Sequence, residues 1–213
     1  MKAAQKTEKA YKVTTLYYVM LGLFTALAFV ATLLIQIPAG WGYINFGDAV
    51  VMIASVVLGP VGGAVTGLLG PAAADLATGF LIYAPFTAVI KAFEGLFCGL
   101  LYSKVLRGRA GWLRCLVAFA VVSLWVSVGY AVTDFLLVSF GALGNTNSMS
   151  AAWAAAVASL WKTTIQTGVS MAVAMIVSPK LPKPAHGKLF VGRTGSDSPT
   201  SDGETKSSPD EEE

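Results

Sequence analysis

The sequence predicts an all-α integral membrane protein of about six transmembrane helices, and three observations carry that prediction. The 213-residue chain is 55% hydrophobic and only 13% charged. With a mean hydropathy of +0.66 it is too apolar for an ordinary water-soluble domain. Its apolar residues fall in blocks broken where Gly, Pro and charge cluster, and most blocks are long enough to cross about 30 Å of hydrocarbon.

Span 1 is predicted over 16–37. Lys2, Lys6, Lys9 and Lys12 before it give the look of a signal peptide, but the apolar run is longer than a signal core and reads as a retained helix. Spans 2 and 3, over 48–59 and 62–80, are short and glycine-rich, and the alternative for 48–84 is one broken hairpin that crosses only in part. Span 4 is predicted over 85–104. Spans 5 and 6, over 112–140 and 151–178, are long enough to tilt or to extend beyond the bilayer. In domain terms the expectation is a basic cytoplasmic N-terminus over 1–15, a membrane domain over 16–179 and a tail over 180–213. The tail ends in a polar, acidic stretch from Ser196 that cannot bury enough apolar area to order itself.

Orientation follows from the basic residues, which concentrate in cytoplasmic loops. Apart from Lys91 and Lys162 inside spans, they precede span 1, join spans 4 and 5 (Lys104, Arg107, Arg109, Arg114) or follow span 6. The loops around 39–45, 79–84 and 141–150 contain none. Both termini are therefore expected in the cytoplasm. Basic residues scattered between apolar blocks form no stripe for nucleic acid.

In that topology every charge within the spans lies in or near the outer half. Lys91 and Glu94 fall about 9 and 14 Å below the outer start of span 4, and Lys162 about 16 Å down span 6. Asp75 and Asp134 come within about 10 Å of the same surface. A charge in hydrocarbon costs on the order of 3 kcal/mol, so such residues face one another or a polar cavity. Pairing is available: Lys91 with Glu94 at i and i+3, and Lys162 with Asp134 across the bundle. Asp48 after Gly47 reads as a cap for span 2. Structural pairs, however, have no reason to gather on one side of the membrane.

Near them lie Trp41, Tyr43, Asn45, Tyr83, Trp161 and Gln166. Rings beside amides and carboxylates suit an aromatic, hydrogen-bonding ligand. For Trp41 and Tyr43 an interfacial belt is the competing reading. The candidate substrate-binding set is Glu94, Lys162, Gln166, Trp161, Tyr83, Asn45, Asp134 and Lys91, with Glu94 as the expected ligand hydrogen bond and Trp161 or Tyr83 stacking the ring.

Enzyme chemistry has no support. The glycine run around Gly59 lacks GK[ST], so the chain does not hydrolyse ATP itself, and neither GxSxG nor HExxH occurs. One histidine, His186, and the cysteines Cys98 and Cys115 offer no zinc spacing, and neither a metal nor a cofactor is expected. Small residues at close spacing, Gly22 with Ala26 and Ala28 with Thr32, and Gly59, Gly63 and Gly67, allow backbones to approach closely.

The stretch from Ile44 to Tyr102 holds Asn45-Phe46-Gly47-Asp48, Leu58-Gly59-Pro60 with Gly63, Ala74-Asp75-Leu76, Tyr83-Ala84-Pro85-Phe86-Thr87 and Ile90-Lys91 with Glu94-Gly95. Together these elements resemble the S components of energy-coupling factor (ECF) vitamin transporters, nearest the branch of riboflavin, hydroxymethylpyrimidine and pyridoxine carriers. The resemblance implies a six-helix subunit of the bacterial cytoplasmic membrane that binds a vitamin or precursor from outside. It also implies docking on a transmembrane coupling subunit that carries two ATPase subunits. In the family small residues of the first helix form part of the docking face, which maps onto Gly22, Ala26, Ala28 and Thr32. The pocket is formed by the outer loops and the last three helices, where Glu94, Lys162 and Gln166 fall. Trp161-Lys162-Thr163 departs from the family pattern and bears on the choice of substrate, since a lysine suits a carboxylate, phosphate or phenolate oxygen. The alternative is a stand-alone ion-coupled transporter, for which no inverted repeat is visible.

Overall fold

The computed structural model describes residues 15–39, 42–143 and 148–180; the expected N-terminal segment, acidic tail and Trp41 lie outside them, apart from Thr15 and Lys180. The chain runs α1 (Thr15–Leu34), a hairpin of β1 (Ile37–Ala39) and β2 (Gly42–Ile44), α2 (Gly47–Ala77), α3 (Ala84–Leu100), a π-helical turn (Leu101–Val105), α4 (Gly111–Ser139) and α5 (Met149–Val177). Helix α1 stops short of Ile37 because a residue before proline is pushed out of the helical region, and Pro38 then enters the hairpin. There Ile37 pairs with Ile44 and Pro38 with Tyr43.

Helix α2 is two rods. Gly59 breaks it with φ 79° and ψ −173°, a conformation closed to other residues, and Pro60 follows at once. A straight helix of that length would separate its ends by about 46 Å. Instead Tyr43, just before α2, donates a hydrogen bond to Asp75 near its far end. The chain therefore reverses at Gly59, and the first rod, about 18 Å long, is too short to cross hydrocarbon alone.

Close backbone contact holds these rods to α3. A Cβ on Gly67 would collide with the Lys91 carbonyl and one on Gly63 with that of Gly95, so this stripe serves packing inside the bundle. Away from the hairpin, Met52, Val56, Cys98, Cys115, Phe119 and Val122 form the apolar core. Both cysteines are free thiols.

Leu23, Leu124, Trp125 and Val157 point outward while Asp48, Thr66, Lys91 and Glu94 are buried, the reverse of a soluble protein. Among the described residues four elements are long and apolar enough to cross a membrane: Thr15–Leu34, Gly47–Ala77, Ala84–Val105 and Gly111–Ser139. Helix α5 is long enough but carries Lys162, Gln166 and several hydroxyls on its buried face.

Candidate functional site

Both ends of α2, the start of α3 and the polar stretches of α4 and α5 meet at the hairpin end. Deepest there is an ion cluster. Lys91 on α3 pairs with Asp48 in the first turn of α2 and, at 2.9 Å, with Glu94 on its own helix. All three are at most 1% exposed. Gln166 on α5 completes the group: its Nε2 donates to Asp48 Oδ2 at 2.9 Å, and its Oε1 accepts from the Asn45 backbone N–H at 3.1 Å. Asp48 is therefore no cap. The N-cap position is Phe46, and before it Asn45 turns the chain, its side-chain oxygen accepting from the Gly47 N–H at 2.8 Å.

Over this cluster lies a small cavity, of about 40 Å³. One wall carries Tyr43 and Asn45 from the hairpin segment, Asp75 from α2, Phe80 and Tyr83 from the following turn, and Thr87 from α3. The facing wall carries Tyr130 from α4 and Lys162, Thr163 and Gln166 from α5. The phenols are tied at their outer ends. Tyr43 donates to Asp75 at 2.5 Å, Tyr83 to Asp134 at 2.7 Å and Tyr130 to Thr87 at 3.1 Å. Burial, then the carboxylate of Asp75 or Asp134, pushes the Tyr43 and Tyr83 phenols far above their usual range, so both stay protonated donors. Phe80 packs edge-on against both rings, at 5.0 and 6.3 Å between centroids. The result is ring surface interrupted by a few placed polar groups, as a site for a small aromatic molecule requires. Lys162 Nζ lies 3.9 Å from Asp134 Oδ2, a loose ion pair.

Of the sequence-predicted residues, Asn45, Tyr83, Lys162 and Gln166 line the cavity, and Asp134 stands behind Tyr83. Lys91 and Glu94 are not among the lining residues; they form the ion pair below. Trp161 is 73% exposed and outside the cavity, because neighbouring helix positions diverge by about 100° and Lys162 takes the inward one. Phe80, Thr87, Tyr130 and Thr163 were not legible as site residues. For Tyr130 a signal existed: it stands one turn before Asp134, on the same helix face. At the other proposed face, Gly22 and Ala26 are exposed along an apolar groove with Thr25, Phe29 and Leu69. Ala28 and Thr32, expected beside them, are buried against α2, where Ala28 meets Gly70 and Thr32 meets Gly47.

Residues 12–183 match the model of the family described as ECF-type riboflavin transporter, S component. The chain belongs to that family. An S component is the substrate-binding subunit of a vitamin transporter rather than an enzyme, and such subunits generally work with ECF coupling and ATPase partners. This S component is also 36% identical over 110 residues to an uncharacterized protein, from a gap 3′ region, of Pyrococcus woesei. The match covers 51% of this chain and 71% of that relative.

Proposed function

We propose that this S component captures a water-soluble vitamin or precursor built on an aromatic heterocycle, such as hydroxymethylpyrimidine or pyridoxine, for ATP-driven uptake through an ECF-type ABC importer. The observation that carries this reading is the cavity at the hairpin end, walled by four aromatic rings and holding Lys162, Asp75 and Asn45 among them. In this reading the chain crosses the membrane six times, the two rods of α2 counting separately, with both termini cytoplasmic and the cavity open to the outside. The positive-inside rule supports that orientation, since Lys104, Arg107 and Arg109 follow the end of α3 opposite the cavity. Asn45, Tyr83, Lys162 and Gln166 surround the ligand, with Asp134, Lys91 and Glu94 supporting them.

The coupling subunit docks, in the same reading, on the groove of Gly22 and Ala26, and ATP hydrolysis belongs to its two ATPase partners. Uptake in proteoliposomes tests this. Vesicles containing this chain alone are expected to bind but not accumulate labelled vitamin, and adding the coupling and ATPase subunits with ATP restores accumulation. Accumulation by the chain alone, driven by an ion gradient, would establish the stand-alone transporter instead.

A further inference from the structure

The end of the molecule opposite the cavity carries a second concentration of charge, all of one sign. Between Glu94 and Asp134 the sequence holds Lys104, Arg107, Arg109 and Arg114 and no acid. The fold gathers them at one turn: the π-helical segment Leu101–Val105 closes α3, Gly108 reverses the chain with φ 93°, and α4 begins at Gly111. Arg114 is built into that turn. Its Nε and Nη2 donate to the Tyr102 carbonyl at 2.9 and 2.5 Å, and its guanidinium lies 4.1 Å from the centre of the Tyr102 ring. Lys104, Arg107 and Arg109 are exposed, and among the described residues their side chains make no hydrogen bond or ion pair. Helices α4 and α5 are packed together and joined by a short connection, so the end of α5 returns to the start of α4 and brings exposed Lys180 to the same end.

Apolar side chains flank these cations. Val105, beside Lys104, is 68% exposed, and Trp112, three positions after Arg109, is 60% exposed. A tryptophan next to lysine and arginine at the mouth of apolar helices places its ring at headgroup depth and the charges among the phosphates. A soluble anion would answer the charge and leave Trp112 and Val105 uncovered, whereas an acidic lipid answers both. We infer that the turn between α3 and α4 is a binding surface for an acidic phospholipid in the leaflet at the end opposite the cavity. Lys104, Arg107 and Arg109 meet the phosphate, and Trp112 and Val105 pack on the upper acyl chain. Arg114, which holds the turn through Tyr102, is a positioning residue. The surface shares no residue with the cavity or with the α1 groove, so it stands whichever solute the chain binds.

The test is lipid binding to the full-length chain in detergent, followed by native mass spectrometry as phosphatidylglycerol, or phosphatidylcholine with the same acyl chains, is titrated in. Phosphatidylglycerol is expected to bind at least about tenfold tighter, each cation at an acidic lipid surface being worth about fivefold. The triple variant Lys104→Gln, Arg107→Gln, Arg109→Gln is expected to lose that preference while melting like wild type, and the charge-keeping pair Arg107→Lys, Arg109→Lys to retain it. Trp112→Ala is expected to weaken phosphatidylglycerol by about threefold, and inorganic phosphate in excess to leave the lipid bound. Equal binding of the two lipids, or a preference that survives in the triple variant, overturns the inference. Displacement by inorganic phosphate with no effect of Trp112→Ala overturns it in favour of a simple anion site. A gain of about tenfold in phosphatidylglycerol binding on changing Asp210 to Asn and Glu211, Glu212 and Glu213 to Gln would make the acidic tail the occupant of the turn, and overturns it too.

Discussion

The buried triad of Asp48, Lys91 and Glu94 makes the sharpest demands of any residues in the chain. Two carboxylates share one ammonium with no access to water. Lys91→Met leaves both acids buried and unpaired, and a loss of about 3–5 kcal/mol is expected, read as collapse of the thermal transition in detergent. Glu94→Gln removes the second acid and keeps the Asp48 pair, so it is expected to fold and to bind ligand within about threefold of wild type, a factor worth under 1 kcal/mol. Gln166 acts differently, since it ties the hairpin segment to α5 through Asn45. For Gln166→Leu, ligand affinity is expected to fall about tenfold, chiefly through faster release in stopped-flow measurements, as is usual when a binding site is altered.

At the scale of elements, the turn at Gly59 and the free face of α1 each yield a measurable outcome. Nothing lies within contact distance of a Cβ built on Gly59, so Gly59→Ala bears only the backbone cost of a conformation that glycine alone adopts readily, about 1–3 kcal/mol, measurable as a lowered melting temperature. Ala26→Trp fills an exposed groove and is expected to leave ligand binding intact while abolishing uptake with the partner subunits. Ala28→Trp, at a position with 0% exposure against Gly70, is expected to prevent folding. Much of this was legible in the sequence. Gly59-Pro60 marked the break, and the apolar blocks located each helix to within a few residues. The hairpin was not legible, because its three-residue strands are too short to show an alternating pattern. On α5 the polar residues Ser159, Lys162, Gln166 and Ser170 recur at helical spacing and mark the inward face, which leaves Trp161 outside it. Ala28 and Thr32 were misplaced because small residues mark close packing without naming the partner, and here the partner is α2.

Across the whole molecule, polarity is inverted and unevenly shared. Helix α2 has 78% of its apolar window buried and α1 only 17%, so α1 is a peripheral helix with a face to spare while the α2 rods form the centre. Buried charge gathers beside the cavity, and the apolar core fills the opposite end. That division fits a capture subunit, with binding at one end and a separate face left for assembly. Mass spectrometry of the small molecule retained by freshly purified full-length chain tests the central claim most directly. One equivalent of a heteroaromatic vitamin or precursor, lost in Lys162→Met protein that melts like wild type, is the expected result. A chain that retains no such molecule and binds none when it is supplied would contradict it.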